Sequence, residues 1–340
     1  MDINKFKQME PMKYLGAQPA KAKVNQFLNN PSSFAGWTAS IKIDGEYGRV
    51  LFDEDKNVLI QGRGKSRKTG EYVDKTAHLP HIVAEVEKLF PRGTVVIGEF
   101  AFDEFDTSSL DVATIFRCLP PKAIERQNSG RKIKFYIFDV LAYHGLEVYE
   151  LSRKERQTYL NELDQKVAFS DYVQVIPWIA AENSLPLLED TLAHGGEGMI
   201  LMNLSEKYYP GSRRGTVAFK IKKEMGEMTL PVVGFVEPKK DYEGNDPDNW
   251  LYKIDGIPVT TAYYHGWKQG VVVNYKGREV KVTSGISNAD AEWLASEDAA
   301  KLLEERQLYA EISAMEEVKG ANEQSASLRH PVILRLRTDV

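Results

Sequence analysis

Residues 37–52, Trp37-Thr38-Ala39-Ser40-Ile41-Lys42-Ile43-Asp44-Gly45-Glu46-Tyr47-Gly48-Arg49-Val50-Leu51-Phe52, decide how this chain is read. They are followed by a turn-forming run, 53–57, and by Val58-Leu59-Ile60-Gln61. Extended-chain residues on both sides of a turn predict an antiparallel hairpin with Lys42 on its first strand. Outward from it, Ile82, Val83, Val86, Leu89 and Phe90 recur at helical spacing over 81–90, and Pro91-Arg92-Gly93 ends that helix before a strand over 94–102. A strand over 134–141, a helix over about 153–166 and short strands over 199–202 and 217–221 complete an α+β region with mainly antiparallel strands.

Beyond Glu224 the texture changes. Short strands are expected over 230–236, around Tyr252, and over 271–275, 279–283 and 331–337, the pattern of a small barrel. A helical insertion over about 289–317 interrupts it, introduced by Ser287 and Asn288 as capping residues, and 319–327 reads as a flexible connector. The expected domains are residues 1–226 and 227–340.

Length and composition narrow the class. At 340 residues, with 42% hydrophobic and 27% charged residues, the chain has the make-up of a folded, two-domain globular protein. The single cysteine, Cys118, excludes an intramolecular disulfide and a four-cysteine zinc site, so a reducing cytoplasm is expected. No segment has the apolar length of a membrane span or a secretory leader. A formal charge of −5 argues against indiscriminate coating of nucleic acid, yet cations concentrate locally at Arg63, Lys65, Arg67 and Lys68, and again at Lys207, Arg213, Arg214, Lys220 and Lys222.

Lys42-Ile43-Asp44-Gly45 is the first candidate for chemistry, because a strand lysine beside an acid and a glycine can attack phosphorus and become nucleotidylated. The four-residue pattern alone is weak: it arises by chance in roughly one chain of this length in twelve. Lys253-Ile254-Asp255-Gly256 repeats it here. What distinguishes the first copy is the ordered sequel: Glu99 in Val-Ile-Gly-Glu-Phe, Phe138 in Phe-Tyr-Ile-Phe-Asp-Val-Leu, Glu197 in Gly-Gly-Glu-Gly-Met-Ile, and Lys220 and Lys222 in Ala-Phe-Lys-Ile-Lys-Lys.

In that order these segments resemble the covalent nucleotidyltransferase superfamily, and within it the ATP-dependent DNA ligases, particularly the small bacteriophage type. Pro11-Met12, Gly62-Arg63-Gly64, Tyr208 to Arg213, Ser327 to Pro331 and Arg335 to Asp339 extend the resemblance over nearly the whole chain. It implies an α+β nucleotidyltransferase domain of ATP-grasp-like antiparallel sheets, followed by an OB-fold β-barrel. It also implies ATP and Mg2+ as cofactors and nicked double-stranded DNA as partner; the lack of a long apolar run leads us to expect no membrane, and the presence of all the motifs in one chain a monomer.

The roles that follow are those of the resemblance. Lys42 becomes the AMP-bearing nucleophile, Lys220 and Lys222 steady the phosphates, and Ile41 contacts the nucleotide. Glu197 and Glu99 hold the metal, Glu99 also bonds the ribose, and Phe138 stacks on adenine, with Phe135 and Tyr136 as competitors. Arg63, or Arg67, grips the 5′-phosphate of the nick, Asp44 acts there later, and Arg335 and Arg337 close over the pyrophosphate. Arg213, Arg214, Lys239 and Lys240 are assigned to DNA.

Three positions depart from the pattern. Tyr47 stands where ligases carry an arginine, so Arg49, two residues on, is the expected substitute; Ile97 replaces an aspartate; Val340 replaces a final lysine. A free lysine ammonium with a pKa near 10.4 is a poor nucleophile at neutral pH, so clustered cations are expected to favour its neutral form. An RNA ligase, a capping-type guanylyltransferase and a catalytically inactive nick-binding module are the competing readings.

Overall fold

The strand-forming run at 37–52 does not continue as one strand. In the computed structural model, which describes residues 2–16, 20–103, 109–222, 225–244, 246–314, 316–318 and 326–338, it is cut at Lys42–Gly45. β1 (Trp37–Ile41) and β2 (Glu46–Phe52) enter two different sheets, so Lys42 lies just beyond a strand end rather than on the first strand of a hairpin. Gly45 is the reason the crossing is possible: a Cβ there would stand 2.2 Å from the Phe100 carbonyl oxygen, so any other residue would push the two strands apart. The hairpin itself is formed by β2 with β3 (Val58–Lys65), in register from Phe52 opposite Val58 to Gly48 opposite Gly62.

By density of contacts the chain divides into two units, Met1–Lys222 and Lys223–Val340. In the first, β4 (Tyr72–Asp74), β5 (Thr94–Ala101), β6 (Lys134–Tyr143), β7 (Leu146–Glu147) and β8 (Val173–Val175) join β2 and β3 in a sheet of order β4-β3-β2-β5-β6-β7, with β8 parallel to β6. β9 (Ile179–Ala180), β10 (Gly198–Asn203) and β11 (Ala218–Lys222) complete the smaller sheet, of order β11-β10-β1-β9. Several apolar clusters hold these sheets. Val50, Ile60, Val96, Phe100, Phe135 and Ile137 pack beneath α1 (Pro80–Leu89) and α2 (Arg153–Val167), while Ala39, Met199, Leu201, Phe219 and Ile221 pack around Phe27, Phe34 and Leu188. A further cluster covers much of the other face of the larger sheet, where Leu51, Val95, Ile97 and Leu141 pack with Phe6, Met12 and Tyr208; burying one such side chain contributes about 1.5–3 kcal/mol. α2 starts where its sequence says it should: Ser152 and Glu155 form a reciprocal capping box.

In the second unit, β12 (Met225–Val236), β13 (Gly270–Tyr275), β14 (Arg278–Val282), β15 (Tyr309–Ala314) and β16 (Val332–Arg337) form a sheet of order β14-β13-β12-β15-β16. Its two edges meet where Ser284 bridges Val332 and the Ile333 N–H donates to the Ser284 carbonyl at 2.8 Å. The helical stretch expected over 289–317 is shorter. It comprises Asn288–Trp293 and Glu297–Glu304, capped by Ser287 and Ser296, and gives way to β15 at Tyr309. The apolar period changes there from helical to alternating, with Ala310, Ile312 and Ala314 buried, and Arg306 takes a left-handed φ of 58° as the chain turns. Most of the expected connector at 319–327, with Asp339 and Val340, lies outside the described residues.

Candidate active site

Three strands of the smaller sheet bring the lysines together. Ser40, Ile200 and Lys220 stand opposite one another across β1, β10 and β11, and Gly198 stands opposite Lys222, with Lys42 beside it through an N–H donated to the Gly198 carbonyl at 2.8 Å. Residues two apart on a strand share a face, so Lys42, Lys220 and Lys222 all project from the side that Ala39, Met199 and Phe219 do not use for the core. Gly198 makes this row work. With φ at +130° and a would-be Cβ 2.1 Å from the Ile221 carbonyl oxygen, it accepts no side chain.

The Glu197 carboxylate pairs with both Lys42 and Lys222, one oxygen to each. All three side chains are largely covered, at 14%, 11% and 16% exposure for Lys42, Glu197 and Lys222. Among the described residues Lys220 has no such pair. Burial, then repulsion from Lys42 and Lys222, brings its ammonium down to about 8. Glu99 shifts the other way: burial outweighs the attraction of Lys42 and Arg63 and pushes its carboxyl up to about 7. The concentrated positive charge and a carboxylate near its titration point suit a polyanionic ligand better than an empty cleft.

The larger sheet supplies the other wall. Glu99 on β5 stands between Tyr47 on β2 and Tyr136 on β6. Phe138 falls where the β5–β6 register slips, partly exposed, with its ring 6.4 Å from Tyr47 and 6.1 Å from Tyr14. Of its competitors, Phe135 is stacked on Phe100 in the core, whereas Tyr136 is buried with Ile43 and Ile176 in a cluster that Phe138 also packs against. The Arg153 guanidinium donates to the Phe138 carbonyl at 2.8 Å and, with Arg156, pairs with the buried Asp139. Burial opposes ionisation of Asp139, but the two guanidiniums overcome it and hold the carboxyl below its usual range. Ile41 and Ile43, flanking Lys42, line a cleft of about 210 Å3 with Tyr136 and Ile176.

Arg49 does not take the place expected of it. Its guanidinium is 1% exposed and donates to the backbone carbonyls of Met9 and Lys7 and to Gln61, so it anchors the N-terminal segment and has no donor aimed at a nucleotide. Arg63 is the cation on this wall: it lies over the Tyr47 ring at 5.1 Å, and its field reaches Glu99 and Lys220. Asp44 accepts the Ser109 N–H at 3.2 Å.

The remaining assigned residues are divided between the two units. Arg67, Arg213 and Arg214 are exposed on the first unit, Arg214 lying over Tyr209 at 4.2 Å. Lys239 and Lys240 follow β12 in the second unit, where Arg335 and Arg337 both face Glu311 at 2.7 and 3.5 Å. Tyr14 had no sequence signal strong enough to single it out, whereas two of the quoted segments meet where the Tyr208 hydroxyl accepts the Met12 N–H at 2.7 Å. Among the described residues no cluster of three or more His, Cys, Asp or Glu side chains could hold a metal ion by itself.

A strand-end lysine linked to Lys222 through Glu197, with Lys220 on the same face and Glu99 of the mainly antiparallel larger sheet nearby, makes a candidate site of concentrated charge. The family model for the ATP dependent DNA ligase domain matches residues 15–222, and the chain belongs to that family. A DNA ligase of Nitrosopumilus maritimus is 25% identical over 256 residues, 72% of this chain and 41% of that protein. The chain spans less than half the length of the curated relatives it matches. Among solved structures, Pmar-Lig_PreS3 superposes with a TM-score of 0.66 at 16% identity, covering 96% of this chain and 67% of that one. A Lig E DNA ligase described as binding DNA with a minimal scaffold gives 0.59 at 16% identity, with 89% and 93% covered.

Proposed function

We propose that this chain is itself an ATP-dependent DNA ligase that joins 5′-phosphate and 3′-hydroxyl ends at nicks in duplex DNA, the step that replication, repair and recombination leave to be done. The observation that carries this reading is the convergence of Lys42, Glu197, Lys220 and Lys222 from three strands onto one face. The Lys42 amine attacks the α-phosphate of ATP and expels pyrophosphate. The AMP then passes to the 5′-phosphate, and the 3′-hydroxyl displaces it. Each step is an in-line phosphoryl transfer, so the protein's task is positioning and charge stabilisation.

Lys220 and Lys222 neutralise charge on the phosphates, Phe138 carries the adenine, Glu99 bonds the ribose, and Ile41 lines the nucleotide's bed. Arg63 holds the 5′-phosphate as a planar fork, with Arg67 further along the same strand-turn, and Asp44 acts at the nick. Mg2+ is bound through one or two carboxylates together with substrate phosphates and water. Glu197, with Glu99 facing it, fits that donor set, and the ion supplies further neutralisation of the phosphates.

The second unit is read as an OB-fold, the sheet of β12 to β16 with its edges joined at Ser284 and Val332 being the supporting feature. Its Arg335 and Arg337 are assigned to the pyrophosphate, and Lys239 and Lys240, with Arg213 and Arg214 of the first unit, to the DNA backbone. The domains are proposed as 1–226 and 227–340, and the protein as a cytoplasmic monomer.

The test is covalent labelling with α-labelled ATP or GTP and Mg2+, then addition of nicked duplex, for the wild type and Lys42→Ala. ATP label that needs Lys42 and is discharged with sealing supports the reading, with intact-mass measurement to detect AMP already in place. Label from GTP alone moves it to a capping-type enzyme. Nick binding without any adduct identifies an inactive binding module.

A further inference from the structure

We propose that Tyr14 closes the far end of the base pocket and limits which purines the site accepts, an inference that rests on the nucleotide reading of Lys42. Leu15 runs parallel to β11 at the edge of the smaller sheet: it bridges Phe219, its N–H donates to the Ala218 carbonyl at 3.2 Å, and the Lys220 N–H donates to the Leu15 carbonyl at 3.0 Å, while Lys13 bridges Arg213 in the loop that precedes the strand. Leu15 packs on the rear of that sheet with Phe219 and Leu201. Side chains alternate between faces, so Tyr14 turns to the front, where it packs on Ile200, Met202 and Ala218. From there its ring meets Phe138 of the other sheet edge-on, at 6.1 Å and 65°. Tyr14 therefore touches both walls of the cleft.

The strand register places it along the cleft. The row of Gly198 and Lys222, with Lys42 beside it, marks the phosphate end; Ser40, Ile200 and Lys220 form the next row, and Thr38, Met202 and Ala218 the one after. At about 3.3 Å per residue, four residues separate the Lys42 level from the Thr38 level by about 13 Å. That distance lies beyond a phosphate and its sugar, so what reaches Tyr14 is the edge of the base farthest from the glycosidic bond. In adenine that edge carries the N6 amino group.

The experiment compares wild type, Tyr14→Phe, Tyr14→Leu and Tyr14→Ala for covalent adduct formation from ATP and from N6-benzyl-ATP, read by intact mass, with melting temperatures recorded for each. Wild type and Tyr14→Phe are expected to form the AMP adduct and to reject the benzyl analogue. Tyr14→Ala is expected to form the N6-benzyl-AMP adduct, with the KM for ATP raised about tenfold and kcat little changed, the signature of lost ground-state binding. Tyr14→Leu, which keeps an apolar contact on Met202 and Ala218, carries the same expectation if the alanine variant unfolds. Folded Ala and Leu variants that bind ATP as wild type does and still exclude the benzyl analogue overturn the assignment. Absence of any ATP adduct in the wild type removes the reading of Lys42 instead.

Discussion

Glu99 is the residue whose environment makes the sharpest prediction. A free glutamate titrates near 4.3, whereas here burial pushes the carboxyl up to about 7. A carboxyl whose folded pKa is raised binds its proton more tightly when folded, so the stability it contributes is present at low pH and is lost as pH rises through about 7. Glu99→Gln keeps the shape and removes the charge. Its melting temperature is expected to match wild type near pH 4 and to exceed it by a few degrees at pH 8, with the gain developing between the free and folded pKa values. A difference independent of pH, measured by calorimetry across that range, would falsify the shift. The same substitution separates stability from function, since the charged form is the one suited to a metal or a ribose hydroxyl.

At the level of elements, the site depends on where strands are allowed to touch. Gly198 sits between Lys42 and Lys222 in φ space reserved for glycine, against the β11 backbone. An alanine there must lift β10 from β11, because a Cβ 2.1 Å from a carbonyl oxygen has no room. Gly198→Ala is expected to lower stability by about 1–3 kcal/mol, the scale of one strained backbone position, and to abolish Lys42 labelling even at temperatures where the variant is folded. Labelling at the wild-type rate in the folded variant would mean that the alignment of these strands is not what brings the lysines together.

For the whole molecule, the decisive fact is that a chain of net charge −5 presents exposed cations in separate patches on both units. Phosphate contacts release counterions, so binding to nicked duplex is expected to weaken steeply with salt, by a slope of about 0.9 per contact. Replacing Lys239 and Lys240 together by glutamine should lower that slope by about two and leave Lys42 labelling by ATP unchanged. Titrations over a range of salt concentrations check both statements, and an unaltered slope removes these two lysines from the DNA surface.

The motifs, the α+β class, the change of texture near Glu224 and the candidate residues Lys42, Glu99, Phe138, Glu197, Lys220 and Lys222 were legible in the residue order alone, because each belongs to a short segment whose spacing is local. The placement of Lys42 was not, since a continuous β-forming run from 37 to 52 carries no local signal that it crosses between sheets; Phe100, far along the chain, decides that at Gly45. Arg49 was misread for the same reason: spacing along a strand tells which face a side chain shares, not that Met9 and Lys7 will bring carbonyls to it. Tyr14 stayed invisible until the pairing of Leu15 with Phe219 put it between two sheets. Local pattern determines element type and the chemistry available; which side chains meet is a property of non-local packing, and only the tertiary structure decides it.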